Sequence, residues 1–247
     1  MQHIVIIGAT SAMAEQCARL WVQANPVRLT LVGRDLARTQ RVADDLCVRS
    51  PQSKVQVMSS DFVNANAISQ TANTIVTKAP VDVVLIAHGV LSDQATCQDD
   101  LLACDAALQV NGVSPVLFAE AFAKPMVAVN HGTIAIIGSV AGDRGRKTNY
   151  VYGAAKGLVS RYAQGMQHRL ANTGVKVVLI KPGPTDTPMT SDLKAKGQKM
   201  ASVEEVALNI VKAVSRGDSV AYTPKVWGMI MLVVIHLPRV IFNKLNI

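Results

Sequence analysis

Residues 3–14 read His3-Ile4-Val5-Ile6-Ile7-Gly8-Ala9-Thr10-Ser11-Ala12-Met13-Ala14. An apolar, β-branched run closed by glycine and small residues, then a helix-compatible stretch over 12–24, predicts a strand buried on both faces, a tight turn and a helix folded back on it. The pattern recurs. Strands are expected at 4–7, 28–32, 54–58, 81–86, 133–137 and 176–180, separated by helix-compatible segments near 12–24, 35–49, 63–77, 98–127 and 150–172. Continuous apolar strands alternating with helices require parallel pairing, right-handed crossovers and helices on both faces.

The expected fold is therefore α/β: a single doubly wound Rossmann-type domain, its parallel sheet flanked by helices. With 247 residues, 49% of them hydrophobic and 17% charged, one domain can bury a full core, which excludes a disordered chain, a collagen-like repeat and a small disulfide scaffold. We expect a catalytic domain over residues 1–224 and an apolar C-terminal segment over 225–247. Cys17, Cys47, Cys97 and Cys104 form no CxxC pair, so free thiols in a reducing compartment are expected and no metal. The first apolar run is too short for a signal peptide, which points to the cytoplasm. The net charge of +8 is scattered rather than gathered into a basic stripe with interleaved aromatics, so no nucleic-acid partner is expected.

In such a sheet the ligand lies beyond the carboxyl ends of the strands. After the first strand, Gly8 permits a tight turn, and Thr10, Ser11, Ala12 and Met13 with small Ala14 let a pyrophosphate approach a helix N-terminus. The same turn also suits plain helix-on-sheet packing. After the second strand stands Arg34, where a cation would pair with a 2′-phosphate and favour NADP(H) over NAD(H), unless it is an ordinary helix-start cation beside the N-cap Asp35. Asp61 and Phe62, after the third strand, can hold an adenine ring, or Asp61 can simply cap the next helix.

Tyr152-Gly153-Ala154-Ala155-Lys156 sets a phenol and an ammonium four residues apart on one helix face, with small residues between them. A lysine cation and an oxidised nicotinamide nearby would lower the phenol pKa toward the working range of an acid–base group. Ser139, just past a strand, can donate to a substrate oxygen.

These motifs, in this order, resemble the short-chain dehydrogenase/reductase family over essentially residues 1–224. The family's phosphate loop resembles 8–14, its adenine-site acid Asp61, its helix-borne asparagine Asn111, its serine Ser139 and its Tyr-x-x-x-Lys the pair Tyr152 and Lys156. Its Pro-Gly turn resembles Pro182-Gly183 with Thr185 and Thr187, which the resemblance implies orient the nicotinamide. It also implies that Asn111 holds a water in a proton relay from Lys156. Two departures stand out: Ala12 and Ala14 replace glycines, and Ile86-Ala87-His88-Gly89 replaces an Asn-rich motif. Ala87, His88 and Gly89 then line the cofactor site, with His88 either an acid–base group or a histidine filling space beside the fourth strand. Residues 8–11, Ala87-His88-Gly89-Val90-Leu91 and Leu237-Pro238-Arg239 are also similar to reductases of decaprenylphosphoryl-linked 2-keto-pentoses, which implies a keto-sugar on a lipid carrier.

The end of the chain, Val226-Trp227-Gly228-Met229-Ile230-Met231-Leu232-Val233-Val234-Ile235-His236-Leu237, is apolar for only twelve residues, short of the roughly twenty that span a bilayer. Flanked by Lys225, Arg239 and Lys244, it suits an interfacial helix at the inner face of the membrane, or packing on a partner subunit or over the cleft. Residues 184–201, with Lys194, Lys196 and Lys199, read as a lid whose lysines either meet a phosphate or form a solvated face. The leading function is NADP(H)-dependent reduction of a small-molecule or lipid-linked carbonyl, in a homodimer or homotetramer. A soluble ketone, acyl or steroid reductase is the near alternative, and a non-catalytic NADP sensor or a basic surface binder the distant ones.

Overall fold

The computed structural model describes residues 1–195 and 197–245. Strands β1 (His3–Ile7), β2 (Arg28–Gly33), β3 (Lys54–Ser59), β4 (Val83–Ile86), β5 (Gly132–Ile137), β6 (Val175–Pro182) and β7 (Val220–Thr223) form one sheet in the order β3-β2-β1-β4-β5-β6-β7. Every pairing is parallel. The strand order reverses between β1 and β4, which opens the crevice where a doubly wound sheet binds its ligand.

Successive residues of a strand face opposite sides, and the apolar runs supply both. Ile4, Ile6, Leu29 and Leu31 pack with the helices α1 (Ala12–Ala24), α2 (Leu36–Arg49) and, later in the chain, Val203–Arg216. Val5, Ile7, Val84 and Ile86 pack on the other face with α3 (Ala65–Lys78), Ser114–Ala128 and Tyr150–Arg169. Asp35 and Asn64 start α2 and α3 by accepting the backbone N–H of Arg38 and Ala67.

Three features differ from the sequence pattern. The helix expected over 98–127 is broken into α4 (Gln94–Asp99), α5 (Leu101–Leu108), a π-helical turn at Gln109–Val113 and α6 (Ser114–Ala128). The break is Asp100, whose extended backbone (φ −125°, ψ 110°) lets its carboxylate cap α5. The continuous run Leu101–Ala128 is long and apolar enough to cross a membrane, yet its Phe118 and Phe122 lie in the core against the sheet. After α7 (Tyr150–Arg169) and the short α8 (Ser191–Ala195) comes α9 (Val203–Arg216), which the pattern did not single out. It is followed by the seventh strand, only four residues long and half-buried at the sheet edge. The chain then forms α10 (Val226–His236) and α11 (Arg239–Phe242).

Candidate active site

At the mouth of the crevice, Gly8 adopts φ +84°, and a Cβ there would stand 2.7 Å from the backbone nitrogen and Cβ of His88. Only glycine fits, for conformational and steric reasons together. Ser11 precedes α1 but its side chain makes no cap bond, so the first-turn N–H groups remain for a ligand, and Thr10, Ser11, Ala12 and Met13 are half-buried rather than covered. These features fit a dinucleotide pyrophosphate. Ala14 is fully buried and serves helix packing.

Arg34 is exposed and makes no ion pair or hydrogen bond among the described residues, while neighbouring Asp35 is committed to its cap. Asp61 accepts from the Val63 N–H at 2.9 Å, and Asn64, not Asp61, caps α3. Phe62 is only 3% exposed, its ring edge-on to His88 at 4.7 Å and to Phe118 at 5.2 Å. Its ring packs in the core beneath the site. His88 is buried beside it, Nε2 paired with Ser114 Oγ at 2.8 Å. Burial, helped by the Lys156 and Arg34 charges, pushes its pKa down to about 3, so the ring is neutral, which favours the space-filling reading. Ala87 is buried and donates its N–H to the Ile7 carbonyl, joining this loop to β1.

Three groups converge beyond β5. Ser139, 9% exposed, caps a short 3-10 turn by accepting the Ala141 N–H at 3.1 Å, which leaves its own proton free to be donated. Tyr152 lies in the first turn of α7 within hydrogen-bonding reach of Ser139. Lys156 follows one turn later, with Nζ 5.8 Å from the Tyr152 ring centroid and donating to the Ile137 carbonyl at 3.0 Å. Burial sets both acidities, pushing the phenol up to about 12 and the ammonium down to about 8. For the phenol, desolvation outweighs the lowering by its hydrogen bond with Ser139. Asn111 is wholly buried in the π-helical turn, accepting the Val90 N–H and donating to the Ala107 carbonyl, each at 2.9 Å. A Cβ on Gly89 would lie 2.9 Å from Asn111 Oδ1 and 3.7 Å from Lys156 Nζ, so this glycine leaves space between the two.

The turn after β6 completes the site. Gly183 is required because the Trp227 indole lies where its Cβ would be, at 2.0 Å. Thr185 is buried with Oγ1 donating to the Gly183 carbonyl, while Thr187 and Thr190 form a reciprocal capping box. Lys194 of the lid segment pairs with Asp186 at 2.5 Å, which favours the solvated-face reading for that lysine; Lys196 lies outside the described residues.

Sequence reasoning missed a buried pair joining these parts. Lys181 Nζ meets Asp143 Oδ1 at 2.5 Å, both side chains under 8% exposed, and the Tyr222 hydroxyl donates to Asp143 Oδ2 at 2.8 Å. The available signal was a lysine directly after the apolar run 177–180. Arg144 was missed as well: it donates to the carbonyls of Val234, Ile235 and Leu237 and lies 3.8 Å over the Phe242 ring, tying α10 to the serine loop.

A family model described as short chain dehydrogenase matches residues 2–198. An uncharacterized oxidoreductase of Streptomyces coelicolor is 25% identical over 244 residues, covering 99% of this chain and 96% of that one. Another from Mycobacterium tuberculosis is 25% identical over 245 residues, covering 98% and 96%. A short-chain dehydrogenase from Sphingobium yanoikuyae, solved with NADPH, superposes with a TM-score of 0.82 at 20% identity and 97% coverage of both chains. One from Burkholderia cenocepacia, solved with NADP, gives 0.84 at 18% identity over the full length of both.

Proposed function

We propose, since the chain belongs to the short-chain dehydrogenase family and is an oxidoreductase acting on CH–OH groups with NAD(P), that it reduces a ketone to a secondary alcohol with NADPH as preferred donor. The observation that carries this reading is the convergence of Ser139, protonated Tyr152 and Lys156 beside a turn built for a dinucleotide. Residues 8–13 would hold the pyrophosphate, Arg34 a 2′-phosphate, Asp61 the adenine end, and the 182–187 turn the nicotinamide. Hydride to the carbonyl carbon is the chemistry the bound cofactor supplies.

The chain's own residues handle the oxygen. Ser139 donates its free hydroxyl proton to orient the carbonyl, and Tyr152, which holds its proton throughout the neutral range, delivers it to the developing alkoxide. Lys156, charged below about pH 8, stabilises the tyrosinate left behind. A water in the space left by Gly89 would connect Lys156 Nζ to Asn111 Oδ1 and return the proton from solvent.

The finer substrate reading is a keto-sugar on a lipid carrier, taken at a membrane surface. It is supported by the exposed outer side of α10, where Met229, Leu232 and Val233 are 74%, 64% and 62% exposed next to Lys225 and Arg239. Assembly as a homodimer or homotetramer belongs to the same reading.

Titrating wild type and Arg34→Ala with NADPH and NADH, followed by nicotinamide fluorescence, tests the cofactor assignment. The variant is expected to weaken NADPH by about 10- to 100-fold and leave NADH unchanged, the loss of one charge-assisted phosphate contact. Equal weakening of both cofactors overturns the 2′-phosphate role, and binding of neither by wild type overturns the reductase reading.

A further inference from the structure

Side-chain polar atoms buried without a partner number four among the described residues, and three of them surround the turn that carries Tyr152. They are Nε of Arg146, Oδ1 of Asn149 and Nε2 of Gln94. All three brace the turn that leads into α7. Asn149 donates its N–H to the Arg146 carbonyl at 3.2 Å, and its own carbonyl accepts from Gly153 at 2.8 Å as α7 begins. The Gln94 side chain accepts the Val151 N–H at 3.0 Å, one residue before the phenol. Buried polar atoms are almost always paired, because leaving one unmade forfeits its hydration. Three orphans gathered at the turn that carries Tyr152 therefore point to partners that a substrate brings.

The charge of this group narrows the partner. Arg146 makes no ion pair among the described residues; its side chain donates there to one partner, Nη2 to the Met231 sulfur at 3.7 Å, under α10. Asp143, the carboxylate close enough to act on it, is already engaged by Lys181 and Tyr222. Burial disfavours the Arg146 charge more than Asp143 favours it, so the guanidinium is partly desolvated with no ion pair of its own among the described residues. A guanidinium fork in that condition matches a carboxylate or a phosphate.

We infer that Arg146, with the Gln94 amide at the same turn, forms a substrate subsite for an anionic group carried on the same molecule as the reacting carbonyl. Asn149 Oδ1 would accept from a hydroxyl of that molecule. The inference rests on the reductase reading for its meaning as a substrate site, so its test is read by binding rather than by turnover.

The purified full chain, without cofactor, is titrated calorimetrically with two matched pairs: 3-hydroxyoctanoate against its methyl ester, and dihydroxyacetone phosphate against dihydroxyacetone. The inference expects one acid to bind roughly tenfold or more tightly than its neutral partner, and which pair shows it separates carboxylate from phosphate. Arg146→Met is expected to abolish the preference, Arg146→Lys to retain part of it, and Gln94→Leu to reduce it while Arg146 remains. NADPH binding, measured on the same samples, reports separately on the reductase reading and on folding of each variant. Equal binding of acid and neutral partner by wild type overturns the inference, as does a preference that survives in Arg146→Met.

Discussion

Lys156 is held in the protein as a cation with an unfavourable environment, and this gives the site a defined pH response. Its ammonium loses its proton near pH 8, two to three units before a free lysine, because burial removes its hydration. If its charge stabilises the tyrosinate, kcat/KM for reduction is level up to about pH 8 and falls above it, with the Tyr152 proton still present throughout. Stability runs the opposite way. A lysine whose folded pKa lies below its unfolded value costs most at low pH, and that cost disappears as pH rises from 8 through the unfolded value. Lys156→Met is thus expected to raise Tm by a few degrees at pH 7, to lose that advantage by about pH 10.5, and to lose activity at every pH. Tyr152→Phe should lower kcat by about 10²- to 10⁴-fold and leave NADPH binding intact, a loss proportionate to general acid catalysis.

Between elements, the site is held by contacts that no local pattern contains. Lys181 at the end of β6 and Asp143 after the Ser139 turn join the 182–187 turn to the loop after β5. Breaking this buried pair from either side, by Lys181→Met or Asp143→Asn, leaves an uncompensated buried group, and urea unfolding should show a loss of about 3–5 kcal/mol. The double variant is expected to lose less than the sum, since neither partner is then stranded. The π-helical turn works similarly. By breaking the regular ladder between α5 and α6 it brings the Asn111 amide to the Val90 N–H, bracing the loop after β4.

For the whole molecule, the C-terminal segment has two distinct sides. Its inner side is fixed to the site: Trp227 covers Gly183, Met231 is fully buried, and Arg144 closes the helix end. Its outer side is apolar and exposed, on a chain carrying +8. Vesicles of phosphatidylglycerol and phosphatidylcholine should therefore bind the protein in sedimentation, more weakly as salt rises, whereas pure phosphatidylcholine vesicles bind far less. Replacing Met229, Leu232 and Val233 together by serine should abolish sedimentation and leave reduction of a water-soluble ketone unchanged. Sedimentation that survives the triple change would remove the lipid-surface reading.

Much of this was legible in the residues. Continuous apolar, β-branched runs specify strands buried on both faces whatever their neighbours, so six of the seven strands and the doubly wound arrangement followed from sequence. Gly8, Ser139, Tyr152 and Lys156 were identifiable because a turn and a helical spacing are local properties. Other features depended on what lies across the fold. The short edge strand β7 and the break at Asp100 carry weak local signals, and the sequence left His88 open between two roles until Phe62 and Phe118 were seen around it. The Lys181–Asp143 pair, the Arg144 clasp and the Arg146 group join residues 38, 90 and 85 positions apart in their contacts. Local sequence determined the elements and singled out the candidate acid–base groups, because backbone preference and periodicity act over a few residues. Tertiary structure alone decided their acidities and partners, because desolvation and long-range pairing exist only once distant segments exclude water together.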